Sequence, residues 1–146
     1  MDYFKMTAPC GLDCFNCPFY LARENSEAMH QLEKWSEQYN IPIEVMQCNG
    51  CRRHDGRIPI HKHLFGESHR CAAYECTKAK GIKSCGECDD FPCDNLHPYA
   101  DKAGEIPHNY KVFNLCLINK MGLEKWAESK AAEVRESYFN KPWSLA

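Results

Sequence analysis

Cysteine constrains this sequence more than any other residue type. The chain has eleven cysteines in 146 residues, and ten of them lie between Cys10 and Cys93. Three pairs have the CxxC spacing, namely Cys14/Cys17, Cys48/Cys51 and Cys85/Cys88. A fold that contains so many thiols holds them either as disulfides or on metal ions, and the redox state of the compartment decides between the two.

The rest of the composition indicates a reducing compartment. The N-terminal residues lack the apolar run of a secretory signal, and no apolar stretch approaches the roughly 18 residues of a membrane helix. We therefore expect a cytoplasmic protein with reduced thiols and no membrane association. The formal net charge is −2, from 18 Lys and Arg against 20 Asp and Glu, and this balance argues against nucleic acid as the main partner.

The CxxC spacing predicts metal-binding turns. A tight turn of this length directs two sulfurs at one ion while backbone N–H groups bond to those sulfurs. Gly50 and Gly86 lie inside two of the turns, where glycine adopts a left-handed conformation cheaply. Metal-free buried cysteines are the alternative, but they would not gather at turns rich in Gly, Pro and Asp. The predicted ligands are Cys10, Cys14, Cys17, Cys48, Cys51, Cys71, Cys76, Cys85, Cys88 and Cys93.

Zinc is the expected metal, as one or two ions. Four thiolates suit zinc or an iron site, so an iron–sulfur cluster is the alternative cofactor. Cys10, Cys14 and Cys17 form a CxxxCxxC triad similar to that of radical S-adenosylmethionine enzymes. Those enzymes need a partial barrel of alternating strands and helices, which a chain this short and helical does not build. The other pairs do not reproduce the ferredoxin run of cysteines.

The sequence leaves the partition of ligands open. Two four-coordinate sites would use eight of the ten cysteines. Histidines could replace some thiolates, although a histidine in a polar loop is more often solvated; the candidates are His61, His63 and His69. We predict that Cys14 and Cys17 share an ion with Cys48 and Cys51. The second predicted set is Cys76, Cys85 and Cys88 with either Cys71 or Cys93, and an interleaved arrangement is the main rival.

Apolar periodicity predicts a mainly α fold that includes a helical hairpin at 107–141. The cysteine motifs predict CxxC knuckles in a metal-organised part at 1–98. We expect both parts to belong to a single metal-stabilised domain over 1–146. One amphipathic helix is predicted from Pro18 to Asn40, followed by a short extended piece over 43–46. We further expect a basic loop at 52–70, and a short helix at 71–80 that Gly81 ends. Cys116 falls in an apolar helical stripe, where we expect it to be buried and inert.

The cysteine motifs resemble one family as a set. They are Cys-Gly-Leu-x-Cys-x-x-Cys-Pro at 10–18, Cys-x-Gly-Cys at 48–51, Cys-x-x-x-x-Cys at 71–76 and Cys-x-x-Cys-x-x-Phe-Pro-Cys at 85–93. Together they are similar to the cysteine-rich prokaryotic family known as domain of unknown function 3795. Asn114-Leu115 and Gly122 to Trp126 extend the similarity into the C-terminal helices. The resemblance implies zinc binding through the cysteines and brings no activity with it. The histidine-bearing insert between Cys51 and Cys71 departs from the family pattern, which often has a further cysteine there.

The leading functional hypothesis is a zinc-stabilised binding or interaction module, with a protein partner as one possibility and the oligomeric state left open. An iron–sulfur or redox-active cysteine protein is the first alternative. A metal-dependent enzyme with an open coordination position is the second, although the sequence contains no GxSxG, HExxH or phosphate-binding glycine loop. The adjacent carboxylates Asp89 and Asp90 fit a solvated turn better than an acid–base pair.

Overall fold

The computed structural model describes residues 1–96 and 110–140. Over these ranges the chain is mainly α-helical, as predicted, and its strand-like pairing is limited to an isolated bridge between Thr7 and Asp13. None of the helices in these ranges has the length and apolar character needed to cross a bilayer. The helices are α1 (Pro18–Leu21), α2 (Ser26–Tyr39), α3 (Ile43–Met46), α4 (Pro59–Phe65), α5 (Ala72–Lys80), α6 (Tyr110–Met121), α7 (Leu123–Ser129) and α8 (Ala131–Phe139).

The helix predicted to begin at Pro18 is divided into α1 and α2. Pro18 does open α1, but this helix ends after one turn. Asn25 then starts α2, because its side chain accepts a hydrogen bond from the backbone N–H of Ala28 at 2.9 Å. The end of α2 agrees with the prediction, since Asn40 adopts a left-handed conformation at φ 52°.

Two predictions in the middle of the chain need correction. The extended piece expected over 43–46 is wrong, because these residues form the helical turn α3 and bury Met46. The basic segment 52–70 is not entirely a loop, since Pro59 opens the two-turn helix α4. The next helix is as predicted: α5 ends at Gly81, which is left-handed at φ 66°.

The C-terminal helices lie inside the predicted hairpin, although residues 107–109 and 141 fall outside the described residues. The first arm is α6, which ends before Gly122. The second arm was expected to be one helix, but it is divided at Lys130 into α7 and α8. Both short helices pack against α6, so the arm still returns along it.

In the part of the chain that the structure describes, buried apolar side chains form three clusters, and one of them is built partly from cysteines. That cluster contains Cys10 and Cys85 together with Leu115 from α6. Cys14, Cys51 and Cys71 pack against it while partly buried. A second cluster centres on Leu32 of α2, and a third on Trp126 of α7. Thiols therefore occupy places in the core that aliphatic side chains fill in most domains.

Gly11 is expected to tolerate alanine less well than Gly81, although both have positive φ. At Gly11 a Cβ would lie 2.8 Å from the Lys111 carbonyl oxygen and 2.9 Å from Leu115 Cγ, whereas at Gly81 nothing lies within 4 Å. Gly81→Ala should lower the free energy of unfolding by about 1–2 kcal/mol. Gly11→Ala should lower it by a further 1–3 kcal/mol or so, because steric overlap adds to backbone strain. Urea denaturation of both variants measures the difference, and equal losses would contradict the close packing of α6 on the Cys10 turn.

Candidate metal centre

The first CxxC pair lies in a tight turn immediately before α1. Residues Cys14–Asn16 form a 3-10 turn, and the backbone N–H of Cys17 donates to the Cys14 carbonyl at 2.9 Å. The carboxylate of Asp13 accepts a hydrogen bond from the Asn16 side chain at 3.0 Å and so braces the turn from its N-terminal side. The first pair is thus held by local bonds and by a buried acid.

The second CxxC pair lies directly against the first. The backbone N–H of Cys48 donates to the carbonyl of Phe19 in α1 at 2.9 Å. A Cβ placed on Gly50 would stand 3.6 Å from the Cys14 sulfur, which shows how close the two turns are. The Gly50 N–H donates to Cys48 Sγ at 3.2 Å, and the Cys51 N–H bonds to the Cys14 thiol. N–H groups directed at sulfur are typical of thiolate ligands in metal-binding turns.

Burial controls the acidity of these thiols. It raises the pKa of Cys14 to about 12, and negative charge on Cys17 or Cys48 acts in the same direction. Burial also raises the pKa of Cys51 far above its ordinary value, with charge on Cys10 and Cys14 as further causes. Ionising several of these thiols together is therefore costly unless a cation is present to offset their charge.

A histidine that the sequence did not single out also braces the second turn. The backbone N–H of Asn49 donates to His54 Nε2 at 3.0 Å, so this ring nitrogen is the acceptor. Burial lowers the pKa of His54, and the charge of Arg23 lowers it further. Both effects favour the neutral ring that can accept this bond. As one of four histidines in the basic segment, His54 gave no signal of that role.

The third CxxC pair belongs to a second group of thiols. We use first group for the cysteines of the first two CxxC pairs, and second group for Cys71, Cys76, Cys85, Cys88 and Cys93. The Cys85 N–H donates to the Pro9 carbonyl at 2.8 Å, which joins this turn to the segment before Cys10. Burial raises the pKa of Cys85 to about 12, followed by charge on Cys10, Cys93, Cys76 and Cys71. Gly86 does not take the expected left-handed conformation. Its missing side chain instead leaves room for Asn119, which donates to the Gly86 carbonyl at 2.9 Å.

Cys10 lies between the two groups. Its thiol is buried, and burial raises its pKa. Charge on Cys10 acts both on Cys51 of the first group and on Cys85 of the second. The N–H of Leu12 bonds to the Cys10 thiol, as other N–H groups bond to thiols in the CxxC turns. Ionisation of Cys10 would therefore raise the pKa of thiols in both groups.

Cys88 has different neighbours from the other cysteines of the second group. The ammonium of Lys80 donates to Cys88 Sγ at 3.0 Å and to Asp90 Oδ2 at 2.6 Å. The bond to Asp90 and then the bond to Cys88 raise the pKa of Lys80. Cys88 is therefore part of a charged cluster at the surface.

The candidate histidines lie apart from the described contacts of the cysteines. The rings of His61 and His69 are 5.4 Å apart and both contact Phe65. His61 Nδ1 is buried without a hydrogen-bond partner in the structure, and burial lowers the pKa of this ring. His63 is exposed. His61 and His69 thus form an aromatic cluster with Phe65.

The donor set suits a soft metal ion, but the side chains are not already closed around one. Within residues 1–96 and 110–140, no group of three or more His, Cys, Asp or Glu side chains is arranged to hold a metal ion. Binding an ion would therefore require the thiols to lose protons and turn toward it.

Cys116 was expected to be buried, and that is wrong: it is exposed on α6.

Comparison with known proteins agrees with the motif pattern. The family model described as a protein of unknown function (DUF3795) matches residues 6–98, which is more than half of the chain. The chain belongs to this family. The resemblance inferred from the cysteine motifs is confirmed, and the matched range includes all ten clustered cysteines. No curated protein and no solved structure gave a significant match.

The DUF3795 match ends at residue 98, so it does not include the similarity noted in the C-terminal helices. Those helices nevertheless contact the first cysteine turn. Arg135 of α8 donates to the Asp13 carboxylate at 2.7 Å, and the Tyr110 hydroxyl of α6 donates to the same oxygen. The Asp13 side chain is 0% exposed and that of Arg135 is 23% exposed. Burial lowers the pKa of Arg135, but the charges of Asp13, Cys17 and Tyr110 together raise it above its ordinary value.

A cavity of about 900 Å³ lies beside this ion pair. Helices α2, α4 and α8 form its walls, with Trp35, Ile60 and Phe139 among the apolar lining residues. Arg135 also lines it, but its charge is matched by Asp13. An apolar lining with a neutralised cation favours packing or binding over acid–base chemistry.

Proposed function

We propose that this DUF3795 protein is a zinc-binding module in which Cys14, Cys17, Cys48 and Cys51 hold one structural ion. The observation that carries the proposal is the contact between the two CxxC turns, with the Gly50 N–H directed at Cys48 Sγ and Gly50 itself close to the Cys14 sulfur. Zinc binds four thiolates in closed structural sites, and its charge would offset the negative charge that these buried thiols acquire when they lose their protons.

The same reasoning supports a second ion among the remaining cysteines. Burial raises the pKa of Cys85, and charge on Cys93, Cys76 and Cys71 raises it further, so these thiols are close enough to interact. The hydrogen bond that the Cys85 N–H donates to the Pro9 carbonyl supports a position of this turn close to Cys10. Because the charge of Cys10 reaches both groups, the rival arrangement is one in which Cys10 replaces a member of either set.

The proposed sites are structural, which favours a binding module over an enzyme. Zinc acts as a Lewis acid or activates water only when a coordination position is open. Four thiolates leave no such position. A basic side chain beside Cys51 is also engaged structurally, since Arg52 donates to the carbonyls of Thr7 and Lys83 at 2.9 and 2.5 Å. These bonds join the segments that carry the two groups of thiols.

Metal analysis of protein purified without oxygen tests the proposal. We expect about one or two zinc ions per chain, a colourless solution, and the loss of one ion in Cys48→Ser. Cys116→Ser is the matched control, because Cys116 is exposed and far from the motifs in sequence. It should keep the full zinc content. A brown protein containing iron and sulfide would contradict the zinc assignment, and a metal-free folded protein would contradict metal binding altogether.

A further inference from the structure

The cavity beside Arg135 extends into the second buried cluster. Its volume of about 900 Å³ lies within the range of about 300–1,000 Å³ that is typical of small-molecule pockets. Met46 of α3 and Ile60 of α4 line it, and these residues are only 2% and 8% exposed. Both belong to the cluster that centres on Leu32. The proposed zinc function assigns no role to this cavity.

Large apolar side chains remain exposed around the same cavity. Tyr39 of α2, Leu64 of α4 and Phe139 of α8 all line it, and they are 59%, 53% and 51% exposed. A single exposed apolar side chain is ordinary, but an apolar patch at a concave site is typical of binding. A ligand in the cavity would cover side chains from three separate helices.

Aromatic rings form a large part of the lining. Phe19 and Trp35 pack edge to face, with ring centroids 5.8 Å apart and ring planes at 67°. Tyr39 and Phe139 add two further rings. Aromatic side chains supply a large and rigid apolar contact area, and a further ring gains stability against them by edge-to-face or offset stacking. The lining therefore favours an aromatic ligand over a flexible alkyl chain.

The charges of the lining are already paired. Among the described residues, the charged side chains that line the cavity are those of Arg135 and Glu136. Arg135 donates to the buried Asp13 carboxylate at 2.7 Å, and Glu136 accepts a hydrogen bond from the Asn140 side chain. A carboxylate ligand would add a negative charge beside a guanidinium that is already paired, and an ammonium ligand would be repelled by that guanidinium. An uncharged ligand avoids the cost of burying an unpaired charge.

Gln31 supplies a neutral polar group in the same lining. Its side chain lies partly buried on α2, and no hydrogen bond of this carboxamide is found among the described residues. A carboxamide can both donate and accept. We propose that the cavity is a binding site for an uncharged aromatic small molecule, whose rings contact Phe19 and Trp35 and whose polar group bonds to Gln31. The proposal goes beyond metal binding and rests on the walls of the cavity rather than on the zinc sites.

Titration of the full chain, purified without oxygen, with N-phenyl-1-naphthylamine tests the proposal. This uncharged aromatic amine becomes fluorescent in apolar surroundings, and we expect saturable binding of about one molecule per chain. Its sulfonated counterpart, 8-anilinonaphthalene-1-sulfonate, has the same rings and one negative charge. The sulfonate should bind about tenfold more weakly or worse, because the guanidinium of Arg135 is already paired with Asp13.

A blocking substitution tests the location of the site. Ala132 of α8 lines the cavity and is exposed, so Ala132→Phe occupies space that the ligand needs without adding volume to the core. It should raise the Kd of the amine about tenfold or more. Ala79→Phe makes the same change at an exposed position of α5 outside the lining, and it should leave the Kd unchanged. Leu64→Ser should also weaken binding, and circular dichroism should show the same helix signal in all three variants.

A second pair of variants tests the polar contact. Gln31→Leu should raise the Kd of the amine about two- to tenfold, because the amine N–H loses its acceptor. Gln38→Leu, at an exposed position of α2 outside the lining, should leave the Kd unchanged. Equal Kd values for these two variants would overturn the assignment of Gln31.

Three results would overturn the site itself. The first is equal binding of the amine by Ala132→Phe and Ala79→Phe, which would place the probe elsewhere. The second is a sulfonate that binds as tightly as the amine, which would contradict selection of an uncharged ligand. The third is a fluorescence rise that disappears as the protein concentration increases, which would assign this face to contact between copies of the chain.

Discussion

Removal of metal by a strong chelator is expected to unfold the part of the chain that contains the cysteines. Structural zinc sites contribute on the order of 10 kcal/mol to coupled folding, which is comparable to the whole free energy of unfolding of a typical small domain. Here the thiols of Cys10 and Cys85 belong to a buried cluster, so loss of an ion would disturb the core itself. Circular dichroism should show loss of helix, and a thiol reagent should react with the buried cysteines.

Acid should have the same effect as the chelator, because protons compete with the metal for sulfur. The pKa values of Cys14 and Cys85 are raised to about 12, so these thiols are protonated at neutral pH without metal. Each thiol that binds zinc must release its proton. The apparent zinc affinity should therefore fall by about tenfold per pH unit for each such thiol as the pH is lowered. Zinc titrations at several pH values measure this slope.

Two controls separate metal loss from other causes of unfolding. Cys116→Ser should respond to the chelator as the unsubstituted chain does, because this exposed thiol lies outside the proposed sites. Added zinc should restore the helix signal. If elemental analysis shows that the metal is gone while circular dichroism and melting temperature are unchanged, the thiols are ordinary core residues. A zinc affinity that does not vary with pH would contradict thiolate ligation.

Local signals in the sequence predicted the fold wherever short-range chemistry decides it. Gly81 ends α5 because glycine adopts the left-handed conformation that a helix end requires. The break before α2 could not be predicted from the apolar period alone. It depends on whether the Asn25 side chain caps the backbone or points to solvent, and both are open to an asparagine at that position.

The candidate site was predictable in its residues but not in its surroundings. The CxxC spacing alone identified the turns at 14–17 and 48–51, which the structure places side by side. Asp13 gave no comparable signal, because its partner Arg135 lies 122 positions further along the chain. Sequence periodicity gives no indication that two isolated charged residues so far apart in the chain are in contact. The contact between Lys80 and Cys88 was missed for a different reason: the two residues are close in sequence, but whether they meet depends on the path of the chain between α5 and the third CxxC pair.

Asp13→Ala is expected to be the most damaging substitution outside the cysteines. The carboxylate accepts hydrogen bonds from Arg135, Tyr110 and Asn16, and its side chain is completely buried. Removing it leaves a largely buried guanidinium without its counter-ion. Loss of one partner of a buried pair costs about 3–5 kcal/mol, so the free energy of unfolding of the zinc-loaded protein should fall by that amount. Chemical denaturation followed by circular dichroism measures it.

An exposed ion pair supplies the matched control. Glu67 lies 2.7 Å from Lys62, but its side chain is 79% exposed, so Glu67→Ala should cost only about 0–1 kcal/mol. The double variant Asp13→Ala/Arg135→Ala separates charge from packing. If the unpaired guanidinium causes the loss, the double variant should be more stable than the sum of the single effects predicts. Additive losses, or a loss no larger than that at Glu67, would mean that α8 does not hold the first cysteine turn through this pair.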